Sequence, residues 1–272
     1  MRHRLYRKVF LAIALLTGLV SYRLASAGCS RVMQVPVAPV GQSVTIDGNA
    51  VGGIYPDLLR ELKDECTFAF MPVPWARLEK MFETGSADLL IPASRTSRRD
   101  EIGIFVPMIL VRATLISIAS ERPGVKSAQE LIERHDIKVA VVRGYDYGPA
   151  YSTLLKELNR QGRLTMEADP LSVARILKAG VADVTIMAPS VLAGVIQNND
   201  KVRDMLDKLR FEPISELPWI ESGVYISKSS VSTEDKTALK ESLERAAKSG
   251  VVWKAFQRHY SANLLKEGAR PR

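Results

Sequence analysis

"ADLLIPASRTSRRDEIGIFVPM" spans Ala87 to Met108. It opens as an apolar strand, Asp88–Ala93. It then places three arginines and three hydroxyls within six residues, Ser94 to Arg99. Upstream, "RVMQVPVAP" (Arg31–Pro39) alternates like a strand. "YPDLLRELKDE" (Tyr55–Glu65) sets Leu58, Leu59 and Leu62 at helical spacing, with Pro56 suited to a first turn. "TFAFMPV" (Thr67–Val73) reads as a strand, and "WARLEKMFETG" as an amphipathic helix ended by Gly85. Strand–helix–strand–helix–strand predicts a parallel sheet with right-handed crossovers. Ligands of open α/β sheets bind beyond the carboxyl ends of the strands, which is where the arginines fall. A guanidinium can grip a carboxylate or phosphate through two parallel hydrogen bonds, and neighbouring hydroxyls add donors. On these residues alone the cluster reads equally well as a solvated basic loop.

Working outward, a second α/β run covers roughly 118–218. "IKVAVVRG" (Ile137–Gly144) is a strand closed by a glycine turn. "DPLSVARILKAG" is a helix capped by Asp169 and started by Pro170. "KAGVADVTIMA" in this half echoes "ETGSADLLIPA" in the first, each a helix end, a Gly turn, Ala-Asp and an apolar strand. Two similar lobes are the simple reading. Beyond them come a strand at Glu221–Ser230, a helix with a capping-box start at Ser232 or Thr233, and a short final helix.

The chain has 272 residues, 46% hydrophobic and 25% charged, and no solenoid repeat. Its first 27 residues read as a secretory signal: Arg2, Arg4, Arg7 and Lys8, an apolar Val9–Val20, and a small-residue site at Ala25-Ser26-Ala27. The apolar run is well short of the roughly 20 residues that span a bilayer. Residues 1–27 hold five basic side chains and no acid, so without them the formal charge falls from +8 to +3. A nucleic-acid-coating protein is therefore not expected. The two cysteines, Cys29 and Cys66, suit one disulfide in an oxidising compartment; a lipidated Cys29 is the competing reading. His135 and His259 fall on polar helix ends, with no cluster at ligand spacing, so neither a metal nor a cofactor is expected.

"GGIYPDLLREL" followed by "VPWARLEKMFETGSADLLIPASRTSRRDEIGIFVPM" resembles the N-terminal lobe of the bacterial family 3 extracellular solute-binding proteins. The shared features, in order, are a Gly-x-x-x-Asp-Leu helix start, an aromatic after the second strand, and Gly-x-x-Asp before the third. Ser/Thr-x-Thr-x-x-Arg and a Phe-and-Pro stretch then follow. The resemblance is strong over about 52–108 and topologically consistent beyond. It implies an α/β, two-lobed periplasmic-binding-protein-like (type II) fold, each lobe a mostly parallel sheet flanked by helices. The implied first lobe is 28–116 with 222–272 and the second 117–221. A two-strand hinge lies near Ala113–Ile118 and Pro218–Val224.

The resemblance also assigns roles by position. Arg99 falls on the arginine that clamps a ligand carboxylate, with Ser94 and Thr96 on hydroxyl positions of the same motif, and Trp75 on the stacking aromatic. Arg95, Arg77 and Tyr55 are further candidates around them. In the second lobe, Gly144, Tyr145 and Asp146 stand on the turn whose amides meet the carboxylate. The acid that takes an α-ammonium belongs five residues beyond Asp183, and there the chain has Ala188. Asp146 or Glu221 could replace it. Cys29 and Cys66 precede what the family makes neighbouring parallel strands, which gives their pairing a geometric reason.

The expected function is a periplasmic solute-binding protein. It would capture a small polar, carboxylate-bearing, amino-acid-like solute in an interlobe cleft for ABC-type uptake. The partners implied are that solute and a membrane permease or a membrane sensor, with no nucleic acid and a monomeric chain. The alternatives are a periplasmic sensor component, or a cyclohexadienyl-dehydratase-like enzyme using Glu221 or Asp146 as general acid.

Overall fold

A computed structural model describes residues 28–272, so the expected signal over residues 1–27 lies outside the described residues. The chain begins with β1 (Met33–Val37), the hairpin β2 (Thr45–Asp47) and β3 (Ala50–Gly52), α1 (Ile54–Glu61), β4 (Phe68–Pro72) and α2 (Trp75–Glu83). Next come β5 (Leu89–Ser94), the short α3 (Ser97–Ile102) and β6 (Gly103–Val111). It crosses to β7 (Thr114–Ile118), α4 (Ala128–Glu133), β8 (Val139–Val142), α5 (Pro149–Arg160), β9 (Leu164–Glu167) and α6 (Pro170–Lys178). This part ends with β10 (Val184–Met187), α7 (Pro189–Gln197) and β11 (Leu209–Glu212). It returns through β12 (Ile220–Ser227), α8 (Thr233–Ser249), α9 (Val251–His259), α10 (Ala262–Gly268) and β13 (Ala269–Arg270).

The βαβ units run parallel as the sequence implied: β1 with β4, β8 with β9, and β8 with β10. The strands that cross between lobes run the other way. The first lobe thus holds a parallel pair, β1-β4, beside a wholly antiparallel sheet, β13-β6-β12-β5, while β11-β7-β10-β8-β9 is mixed, so neither lobe is the mostly parallel sheet expected. The two echoing Ala-Asp segments do the same job in each lobe. Asp88 N–H donates to the Gln34 carbonyl at 2.8 Å while its carboxylate accepts Gln34 N–H at 2.7 Å. Asp183 repeats this with Lys138, at 2.9 and 2.7 Å. In each lobe an aspartate just before a strand thus adds a side-chain bond to the backbone bond that ties it to the strand beside it.

Both faces of the first sheet are buried. One packs on α1, α8 and α9 through Leu59, Ile91, Leu239 and Phe256. The other carries Leu78, Phe82 and Leu90 and continues into the second-lobe core of Val139, Leu158 and Ile186. Each such side chain contributes about 1.5–3 kcal/mol on burial. Cys29 and Cys66 are disulfide-bonded, Cα atoms 4.8 Å apart, fixing the start of the described chain to the entry of β4. Where the chain crosses between lobes, Trp219 lies between the guanidinium groups of Arg112 and Arg270, at 4.8 and 4.3 Å from its ring centre. Arg112 also donates from its backbone and Nε to the carbonyls of Gly268 and Glu267. The C-terminal segment therefore holds both crossings. No helix among the described residues is long and apolar enough to cross a membrane.

Candidate functional site

The Ser94-x-Thr96-x-x-Arg99 spacing is a local circuit. β5 ends at Ser94, Thr96 caps α3 by accepting Arg99 N–H on its hydroxyl, and one helical turn brings the Arg99 guanidinium back to the Ser94 carbonyl at 2.8 Å. Arg99 is only 2% exposed, although its neighbours Arg95 and Arg98 lie at the surface. Its second terminal nitrogen pairs with the Glu79 carboxylate, itself buried. The Arg99 Nε–H has no partner. Burying a guanidinium is tolerable only with such pairing, and one unmet donor beside an ion pair invites an acceptor.

A cavity of about 60 Å³ lies against Arg99, between the lobes. From the first lobe it is walled by Tyr55, Trp75, Ser94, Ser222 and Phe256 among others, and from the second by Tyr145, Asp146, Tyr147 and the start of α7 at Ala188. Of the residues the sequence singled out, the structure brings Arg99, Trp75, Ser94, Tyr55, Tyr145 and Asp146 together on this wall. Thr96 acts behind it as the cap. Arg95 points away, bonded to Asp100 and Glu221. Arg77 is exposed on the outer face of α2. Gly144 stands just behind the wall, where its carbonyl accepts the Trp75 Nε1–H at 3.0 Å. Its φ of +84° and the 3.0 Å between a Cβ there and Trp75 leave room for glycine alone.

That bond joins the lobes. Trp75 also meets Tyr145 edge to face at 5.1 Å, and Tyr147 and Tyr151 extend the aromatic row inward. A second bridge forms where the Tyr260 hydroxyl accepts Gln42 N–H at 3.0 Å and donates to the Ser190 carbonyl at 2.8 Å. The hydroxyls of Tyr55 and Tyr145 are buried without hydrogen-bond partners; Ser222 neighbours the first but not at bonding geometry. Burial raises both phenols above their ordinary range, so they stay protonated. Burial pushes Tyr147 up to about 12, with its hydroxyl accepting the Ala188 N–H at 3.1 Å. The Asp146 carboxylate takes the Gly148 N–H at 2.8 Å on one oxygen and has no salt-bridge partner among the described residues.

Sequence reasoning missed Glu79. Its signal was present: Trp75, Leu78, Glu79 and Phe82 stand at i, i+3, i+4 and i+7, so an acid occupies the apolar stripe of α2. Ser222 was also missed. It is placed by β12 pairing directly opposite Ser94, and no local pattern announces it.

No protein-family pattern matches the chain, and no curated protein matches it. Solved structures do. A histidine kinase sensor domain with similarity to periplasmic binding proteins is 19% identical, with a TM-score of 0.67 over 85% of this chain and 96% of that one. The arginine-, lysine-, histidine-binding protein ArtJ from Geobacillus stearothermophilus is 16% identical, with a TM-score of 0.68 over 85% and 95%. An ancestral amino-acid-binding protein, a precursor of cyclohexadienyl dehydratase, is 18% identical, with a TM-score of 0.65 over 85% and 95%. The chain has the two-lobed fold of the periplasmic binding proteins.

Proposed function

We propose that this chain is an extracytoplasmic solute-binding protein that captures a small, amino-acid-like solute between its lobes. It would act as a monomer and hand the solute to an ABC-type permease. One observation carries the reading: three buried polar atoms without partners, on Tyr55, Arg99 and Tyr145, belong to residues from both lobes around one cavity. A solute that satisfies all three favours the closed arrangement over the open one. The moving bodies are residues 28–116 with 222–272, and 117–221. The disulfide supports an oxidising compartment.

A catalytic reading has less support. Glu221, one of two acids it would use, is held by Arg95 and Arg272 and does not line the cavity. A sensor role is favoured by the likeness to the kinase sensor domain and uses the same cavity.

The test is a melting-temperature screen of the mature chain over amino acids, amines, carboxylates and polyamines, repeated in Arg99→Ala. Stabilisation that disappears in the variant supports capture at this cavity. A hit left unchanged in the variant removes the cavity from the account. Turnover of prephenate or arogenate would replace binding with catalysis.

A further inference from the structure

The charges at the cavity do not favour the carboxylate clamp that the sequence led us to expect. Arg99 already has a resident counter-ion. Glu79 reaches it from α2, is only 7% exposed, and also takes Arg98 at 3.4 Å. Arg99 spends one further donor on the Ser94 carbonyl. Two of its five N–H groups are spent in this way, and the nitrogen left with no partner at all is Nε. A solute carboxylate placed there would share a guanidinium with a buried glutamate, and two anions on one cation repel.

The cavity wall also carries Asp146, with no salt-bridge partner among the described residues. Position 188, where an acid was expected, is alanine at the N-terminal end of α7. That helix end is electropositive and disfavours a cation. Its Ala188 N–H is already bonded to Tyr147. Asp146 is thus the one anion of the wall free to take a cationic group, and the aromatic rings of Trp75 and Tyr145 line the same cavity. Arg99 and Glu79 cancel, so the cavity carries the charge of Asp146.

We propose that the site selects a small organic monocation bearing an uncharged acceptor. A protonated amine sits against Asp146, and a carbonyl, amide or hydroxyl oxygen accepts the Arg99 Nε–H. In this arrangement Glu79 is the specificity-determining residue, because it removes the net charge that a free carboxylate would need. The assignment rests on the solute-capture reading above and narrows its ligand class.

Matched probes test it. Alaninamide, alanine and lactate, and the corresponding leucine and phenylalanine sets, would be titrated calorimetrically into the mature chain at about pH 6.5, where the amides are cations. The expected order is amide over amino acid by about tenfold or more, with the hydroxy acids weakest. Glu79→Gln is expected to raise affinity for the acids by about tenfold by unmasking Arg99, narrowing or reversing the order. Asp146→Asn is expected to cost the amides about tenfold without improving the hydroxy acids. Circular dichroism separates loss of fold from loss of binding. If Glu79→Gln fails to fold, the wild-type order and Asp146→Asn still decide. Acids bound as tightly as amides, or amide affinity unchanged in Asp146→Asn, overturn the charge assignment and leave solute capture standing. If no amide binds, the assignment falls as well. Capture itself falls only if the wider screen also yields no solute whose stabilisation depends on Arg99.

Discussion

The bond from Trp75 to the Gly144 carbonyl makes the link between closure and affinity measurable. It joins a first-lobe helix to a second-lobe turn, so it exists only when the lobes are together. Trp75→Phe keeps a ring edge against Tyr145 and deletes the N–H donor. The net loss for one such hydrogen bond is about 1 kcal/mol, and more if the carbonyl stays dry. If capture closes the lobes as proposed, the open form lacks the bond, and the loss appears in binding, as about fivefold weaker affinity, with the melting temperature of the unliganded chain nearly unmoved. Gly144→Ala adds two costs. The φ of +84° costs about 1–2 kcal/mol for any side chain in every folded state, and this lowers the melting temperature. The new Cβ, 3.0 Å from the indole, weakens closure and lowers affinity further. Calorimetry on the strongest hit of the solute screen, with small-angle scattering for compactness, separates the two. If Trp75→Phe lowered the melting temperature while leaving affinity intact, the contact would belong to the fixed fold and the closure argument would fail.

Replacing Cys29 and Cys66 together with serine removes a loop constraint over a sequence separation of 37. Denaturant titration should show a loss of about 3–4 kcal/mol, with ligand affinity retained. Asp88 gives a pH signature. Burial alone would raise its carboxyl, but bonds from Arg31, the Gln34 amide and Ser230 outweigh that and hold it below the usual carboxylate range. Its contribution is therefore complete above the unfolded value of about 4 and drains away as pH falls through the lower folded value. Asp88→Asn should cost about 2 kcal/mol near neutral pH, and the gap from wild type should shrink as the solution is acidified. A gap independent of pH would mean that the charge is not what matters.

The elements visible in the sequence were those with a full period of their own. The stripes of α2, α5 and α6, and the apolar runs of β5, β8 and β10, state their faces within a few residues. The β2–β3 hairpin, the six-residue α3, β11 and the two-residue β13 do not. They are too short to carry a period and exist because neighbours supply their bonds, as β6 does for β13. The site divides in the same way. Motif spacing singled out Arg99 among three arginines, since only that position completes the turn back to Ser94. Nothing local could show that Glu79 would meet it, because that pairing joins α2 to α3 across a sequence separation of 20. Arg95, in the link between β5 and α3, and Arg77, on the outward face of α2, have the right chemistry but are exposed.

The place of β12 has a consequence for how the chain is made. It lies between β5 and β6, yet it is synthesised only after the whole second lobe. β5 and β6 cannot be neighbours in the finished sheet, and any early pairing between them must be undone when β12 arrives. The second-lobe strands β7 to β11 are contiguous in the chain and meet no such delay. On a chain emerging N-terminus first, the middle of the molecule can be complete while the first lobe still waits for a strand to wedge into its centre. Pulse-labelled hydrogen exchange during refolding would then show β8 and β10 protected before β5 and β6.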